Sequence, residues 1–248
     1  MAGHSKWANI RHRKGAQDQK RGKIFTKIIK EITISARLAG GDPYANPRLR
    51  KAISNAKSNN MPNDKIERAI KKGTGELDGV VYEEITYEGY GPGGVAIMMD
   101  VITDNKNRSV ADIRHVLAKF KGNLGESGSV SWIFEKQGQI ILSNESYDED
   151  IVFEFVLEAG AEDFQTDDDI FVISTTPESL MQVRDSLEGK GYDIRSAEID
   201  MVPKSFQKLA GEEAEMALAL LNALEDNDDV QGISSNFDVS EETLTSLT

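Results

Sequence analysis

The sequence predicts an α+β protein: an N-terminal three-helix domain followed by two ferredoxin-like α/β domains, one inserted into the other. Three observations carry that expectation. Apolar residues in the first 75 positions recur with the helical period, whereas the remainder alternates short β-rich segments with helices. The tail then supplies one helix and one strand beyond what the preceding block needs, while an earlier sheet is left one layer short. At 248 residues the chain has room for more than one core.

Residues 1–22 read as a polar basic arm in which only Trp7 and Ile10 are large and apolar. From Gly22 onward Ile24, Phe25, Ile28, Ile29, Ile32 and Ala36 follow one another at three- and four-residue steps. Gly40-Gly41 ends this helix and Asp42-Pro43 turns the chain. A second helix starts at Pro47, with Asn46 as its cap and Leu49, Ile53 and Ala56 on its apolar face. A third follows Pro62, with Ile66, Ala69 and Ile70 inward and Gly73 as its stop.

After Gly75 strands are expected at 80–87 and 95–102, joined by a glycine-rich turn over 88–94. A helix over 109–121 has Ser109 and Asp112 at capping-box spacing, and a glycine-rich loop at 122–128 leads to a strand at 130–134. Next come a strand at 139–142, a helix at 148–159, strands at 163–165 and 170–175, a helix opened by Thr176-Pro177, and a strand at 192–202. That order, β-α-β-β-α-β, is ferredoxin-like. Ala217, Leu220, Leu221 and Leu224 mark a last helix before a strand at 230–237. The expected domains are therefore 1–75, a discontinuous 76–134 with 204–248, and an inserted 135–203.

Charge is divided along the same lines. The whole chain has a formal net charge of −13, yet residues 1–75 carry 18 Lys/Arg against 5 Asp/Glu, and the other 173 carry 11 against 37. A basic module rides on an acidic body, which points to a polyanion as partner. With no cysteine there is no disulfide, thiolate nucleophile or Cys-ligated metal. No run approaches the roughly 20 apolar residues of a membrane helix. The N-terminus lacks the apolar stretch of a secretory signal, so a cytoplasmic location is expected, with no membrane partner. The only histidines are His4, His12 and His115, and no serine sits in a nucleophile elbow. A non-enzymatic protein without cofactor, resident metal or small-molecule substrate is expected.

Several separated motifs carry a resemblance. Met-Ala-Gly-His-Ser-Lys-Trp (1–7), the stretch 16–27, Tyr-Glu-Gly-Tyr-Gly-Pro-Gly-Gly (87–94), Thr-Asp-Asn-Lys-Asn-Arg (103–108), Gly-Asn-Leu-Gly (122–125), Glu-Ala-Gly-Ala-Glu-Asp (158–163) and Leu-Glu-Asp-Asn-Asp-Asp-Val-Gln (224–231) appear in order. The chain closely resembles the YebC/PmpR family of probable transcriptional regulators over essentially its whole length. The resemblance implies a cytoplasmic protein with a helical N-terminal domain and two α/β domains, the last inserted into the middle one. It also implies one of two roles. Some members are described as DNA-binding transcriptional regulators; others, including the mitochondrial translational activator of cytochrome c oxidase, are linked to the ribosome and to elongation through proline-rich stretches.

The candidate nucleic-acid-binding residues are Lys6, Trp7, Arg11, Arg13, Lys14, Lys20, Arg21, Lys23 and Lys27, with Lys30 continuing the run. Clustered cations release the counterions condensed on phosphates, and Trp7 could stack on an unpaired base. Arg48, Arg50, Lys51, Asn55, Lys57 and Arg68 on the second and third helices permit a DNA reader, although only Asn55 is a base-reading amide. Recognition of RNA by charge and shape fits equally, so promoter DNA and ribosomal RNA both stand as partners. Lys106, Arg108 and Arg114 form a smaller basic island on the body, open to the bland reading of ordinary helix charges. Gly89–Gly94 reads as a tight turn rather than a phosphate loop, because no Lys-Ser/Thr ending follows it. The acidic groups at 148–150, 167–169 and 226–229 lack calcium-loop spacing and read as solubilising charge. Removal of Met1 would leave Ala2-Gly3-His4, a set of nitrogens able to enclose Cu(II) or Ni(II) in a plane.

Overall fold

Three amphipathic helices open the described chain, which in this computed structural model comprises residues 21–239 apart from 168. Helices α1 (Arg21–Ala39), α2 (Pro47–Ser58) and α3 (Asn63–Thr74) bury Ile28, Ile32, Ala36, Leu49, Ala52, Ala56, Met61, Ile66 and Ala69 in one small core. α2 begins as expected: Asn46 Oδ1 accepts the Leu49 amide at 3.0 Å, and Pro47 fills the first turn, where an N–H would have no partner. The end of α3 corrects the expectation. The helix passes through Gly73 to Thr74, and Gly75, with φ 82°, is the left-handed cap. Gly73 serves space rather than termination, since a Cβ there would lie 2.4 Å from Thr33 O and 2.7 Å from Ala36 Cβ.

Strands β1 (Glu83–Tyr90) and β2 (Ala96–Thr103) form an antiparallel hairpin in register from Glu83↔Thr103 to Tyr90↔Ala96. β1 starts later than its apolar residues predict, and Val80 and Val81 are exposed before it. Helix α4 (Lys106–Lys119) is capped by Asn105, whose Oδ1 accepts the Arg108 amide at 3.1 Å. The Ser109–Asp112 capping box is therefore not formed; Ser109 lies one turn inside, fully buried. After the short β3 (Asn123–Leu124), the expected strand at 130–134 is a 3-10 turn at Ser131–Ile133. Val130, Ile133 and Phe134 are buried at steps of three and one, a spacing that suits a turn and not a strand.

The next block is β4 (Phe134–Ser143), α5 (Glu149–Ala159), β5 (Asp163–Asp167), β6 (Ile170–Thr175), α6 (Leu180–Lys190) and β7 (Ile194–Pro203). Its antiparallel sheet has the order β5-β6-β4-β7, and Ile140, Leu142, Phe171 and Ile173 meet Val152, Val156, Val183 and Leu187 of the helices in a core of their own. This is the β-α-β-β-α-β arrangement expected.

The chain then returns through β8 (Gln207–Leu209), α7 (Gly211–Glu225), β9 (Val230–Ser235) and β10 (Phe237–Val239). β9 pairs with β2, completing a four-stranded sheet of order β3-β1-β2-β9, while β10 pairs with β8. Ile97, Met99, Ile113 and Leu117 share one core with Leu220, Leu221, Leu224 and Ile233, so segments on both sides of β4–β7 are packed together. This sheet reaches two layers by leading with a hairpin, whereas the other leads with a strand and helix. The chain is an α+β protein with a helical N-terminal region. On its three cores we propose the division 1–75, 76–134 with 204–248, and 135–203.

Candidate nucleic-acid interface

Of the nine candidate residues, Lys6, Trp7, Arg11, Arg13, Lys14 and Lys20 lie outside the described residues, as does the side chain of Arg21 and the Ala2-Gly3-His4 segment. Lys23 and Lys27 are described, and both are engaged. Steps of four and three along α1 put Lys23, Lys27 and Lys30 on one side of the helix, and that side meets the C-terminal end of α7. Lys23 Nζ donates to Asp226 O at 3.0 Å and stands 3.2 Å from Asp226 Oδ1. Lys27 Nζ donates to Glu225 O at 2.6 Å. Lys30 Nζ donates to Asp228 O at 2.8 Å and to the Asp229 carboxylate.

The physical cause is the end of a helix. The last carbonyls of α7 have no intrahelical partner and carry the negative pole of its dipole. α7 has no basic residue in its last turn, so α1 supplies the cations from about 200 residues away. Burial lowers the Lys27 pKa, against the opposing pull of Glu225, Asp228 and Asp226.

Asp229 is the centre of the junction. Its side chain is 7% exposed and accepts from Lys30, from Ser109 Oγ at 2.5 Å, from Arg108 at 3.1 Å and from Thr103 Oγ1 at 3.2 Å. Burial alone would raise its pKa; the hydrogen bonds from Lys30, Ser109 and Arg108 outweigh that and hold it at about 2. Beside it opens a polar cavity of about 450 Å³ lined by Lys23, Thr26, Tyr82, Asp104, Arg108 and Asn227, among others.

Three of the candidate cations on α2 are engaged within the protein. Arg48 forms a two-pronged pair with Glu31 at 2.7 and 2.9 Å and also reaches Glu84 on β1; these side-chain hydrogen bonds raise its pKa further. Lys51 pairs with Glu198 of β7 at 3.4 Å, and Arg50 donates to the carbonyls of Pro43 and Tyr44. Asn55 Oδ1 accepts from Asn59. The side chains of Lys57 and Arg68 are exposed and make no hydrogen bond or ion pair to another described residue. In the body's basic island, Lys106 meets Glu83 at 2.5 Å and Arg108 meets Asp104 and Asp229, which favours the reading of ordinary helix charges. The Gly89–Gly94 segment is half strand, half turn: Gly91 and Pro92 are buried, and a Cβ at Gly93 would lie 2.4 Å from Leu209. Gly93 and Gly94 are exposed at its tip, so the segment is the tight turn expected. Among the described residues no cluster of three or more His, Asp or Glu is placed to hold a metal ion, and no helix is long and apolar enough to cross a membrane.

Comparison with known proteins agrees with this architecture. The family described as TACO1/YebC protein N-terminal domain matches residues 5–76, and that described as TACO1/YebC second and third domain matches 82–237. The chain belongs to the TACO1/YebC family. Within it, a probable transcriptional regulatory protein of Geotalea uraniireducens is 57% identical, covering 98% of each chain. Another so named, from Dictyoglomus turgidum, is 56% identical over 100% of both. The crystal structure of a conserved hypothetical protein from Aquifex aeolicus superposes with a TM-score of 0.84 at 48% identity, covering 97% of this chain and 99% of that one.

Two features of this TACO1/YebC member escape the sequence reading. Glu88 is a buried carboxylate whose oxygens accept the amides of Gly128, Val130 and Ser131 at 2.7, 2.7 and 2.9 Å. Burial works against its charge, but these backbone donors prevail and lower its pKa. It thereby fixes the loop that presents Trp132, 70% exposed, with Nε1 donating to Ser129 O. The other is Asp229, hidden in an acidic run. The motif 224–231, carried in the resemblance, turns out to be the end of α7 and the partner of the α1 lysines.

Proposed function

We propose that the chain is a nucleic-acid-binding regulator of gene expression, acting in the cytoplasm without a catalytic step of its own. One observation carries this reading: 18 Lys/Arg against 5 Asp/Glu in residues 1–75, on a body holding 11 against 37. Such a body repels phosphate, so binding falls to the N-terminal module. Lys6, Arg11, Arg13, Lys14, Lys20, Arg21, Lys23 and Lys27 would neutralise phosphates, with Trp7 stacking on a base. The names of the relatives support a transcriptional role, with DNA as target.

A specific observation favours a second reading, ribosomal RNA and a role in easing elongation. A helix-turn-helix reader must offer Arg, Asn or Gln to base edges. Here Arg48 and Lys51 on α2 pair with Glu84 and Glu198 of the body and Asn55 is bonded to Asn59, which leaves Arg68 of α3 as the exposed candidate without such a partner among the described residues. Recognition by charge and shape needs no such face. Crosslinking in cells followed by sequencing of the bound nucleic acid separates the two. Promoter DNA supports the first, large-subunit ribosomal RNA the second, and recovery of neither overturns both.

The same reading fixes a salt dependence. With about six phosphates neutralised, log affinity for duplex DNA falls against log salt with a slope of roughly −5. Replacing Arg11, Arg13 and Lys14 with alanine flattens that slope and weakens all sequences alike. A salt-independent affinity contradicts it.

A further inference from the structure

We infer that segment 225–229 is an internal competitor for the lysine row of α1, so that nucleic acid and this acidic segment exclude one another at Lys23 and Lys27. The inference rests on the nucleic-acid reading of those two residues and adds how access to them is controlled.

The ligands now on the row are chemically what a phosphate strand offers. Lys23 and Lys27 hold carbonyl and carboxylate oxygens at 2.6 to 3.2 Å, the geometry of charge-assisted hydrogen bonds. Glu225, Asp226 and Asp228 act on Lys27, and Asp226 and Asp229 pair with Lys23 and Lys30, so four negative charges face the row. A duplex is denser still, with one charge per about 1.7 Å of axis, and its binding releases counterions that the intrachain contact does not. The internal segment has the opposite advantage, because it is tethered and always at high effective concentration. Neither occupant wins outright on chemistry, which is the condition for exchange.

Burial is graded along the row. The Lys23 side chain is 37% exposed and its partner Asp226 69%, whereas Lys30 and Asp229 are each 7% exposed. The Lys23 end is open to solvent and follows the basic arm in sequence, while Lys30–Asp229 is held by Ser109, Arg108 and Thr103 of the body. Exchange therefore begins at Lys23 and Lys27, with Lys30–Asp229 as the anchor that keeps the helical region in place. The cavity beside Thr26 and Asn227 opens Lys23 and its partner Asp226 to solvent. The apolar core of α1–α3 is separate from the two cores of the body, so parting the contact at Lys23 and Lys27 breaks no apolar core.

A closed state favoured tenfold over the open one lowers apparent affinity about tenfold. The test uses the full chain with a short labelled duplex DNA and a labelled RNA hairpin, read by fluorescence anisotropy. Asp226→Asn with Asp228→Asn removes attraction at the exchanging end and leaves Asp229 intact. Glu154→Gln with Glu158→Gln, exposed on α5, changes net charge equally far from the junction. Because the chain has no cysteine, Thr26→Cys with Asn227→Cys can be bridged by a bis-maleimide to hold the junction shut. Tighter binding by the junction variant, about tenfold beyond the control pair, with weaker binding by the bridged than the unbridged chain, supports the inference. Equal affinity in all these forms overturns it and leaves the nucleic-acid reading standing. No binding of either probe by any form overturns both.

Discussion

Asp229 sits 199 residues from Lys30 in the chain and against it in the fold, both side chains hidden from water. A buried pair broken from one side leaves the other charge without compensation, which is why truncating one partner is strongly destabilising. Asp229→Asn is expected to reduce stability by about 3 kcal/mol, measured by denaturant unfolding near neutral pH. The depressed pKa adds a pH signature. Its ordinary value is 3.8 and its folded value about 2, so the charged form contributes stability present in full above about pH 4. That contribution, about 2 kcal/mol, is lost as pH falls toward 2, and the Asn variant shows a correspondingly flatter profile over that window. Unfolding curves with identical acid dependence in both proteins would contradict the assignment. Sequence shows the acidic run 225–229 as charge but not which member is buried. Selection of Asp229 depends on Ser109 and Arg108 of α4 and on Lys30 of α1, none of them near it in sequence.

At the scale of elements, periodicity finds helices and strands well, and errors gather where a residue serves tertiary contact. Gly73 has the look of a stop signal because glycine commonly ends helices. Its true constraint is the close crossing of α1 and α3. Alanine would favour the helix by about 1 kcal/mol on propensity alone. The Cβ, however, would press on Thr33 O and Ala36 Cβ, neither of which is the end of a flexible side chain. Overpacking of this kind costs roughly 1–3 kcal/mol, so Gly73→Ala is expected to lower the Tm rather than raise it. A raised Tm would show that the crossing can relax. Ser109 illustrates the same logic: its capping-box spacing is real, but its hydroxyl is committed to Asp229, and Asn105 takes the cap. In the turn at 131–133, burial every third residue overrides β-branched composition.

For the molecule as a whole, topology is more legible than the interface. An unfinished ββαβ layer and a surplus helix and strand at the tail together imply an insertion, and β9 beside β2 closes that sheet. The basic module is equally plain from charge, yet the docking of Lys23 and Lys27 is invisible, because a charge run carries no mark of its partner. The proposed insertion makes a prediction. Phe134 and Pro203 are paired neighbours in register, and the Lys204 amide donates to Ile133 O at 2.8 Å, so the two junctions of the insert lie side by side. Residues 134–203 have a core of their own, including Ile140, Phe171, Val183 and Leu187, and a sheet with all four strands inside the segment. Phe134 and Met201 are the points at which this block touches the cluster of Ala96, Val130 and Ile133. The excised segment 135–203 is therefore expected to fold alone with a cooperative thermal transition, while joining 134 to 204 by a short Gly-Ser linker leaves the remainder folded but less stable through loss of the contacts that Met201 makes. Circular dichroism melts of the two products test both halves. A segment 135–203 without a cooperative transition would mean that β4 and β7 need the body to form a sheet, and the proposed boundary would have to move outward from Glu135 and Pro203.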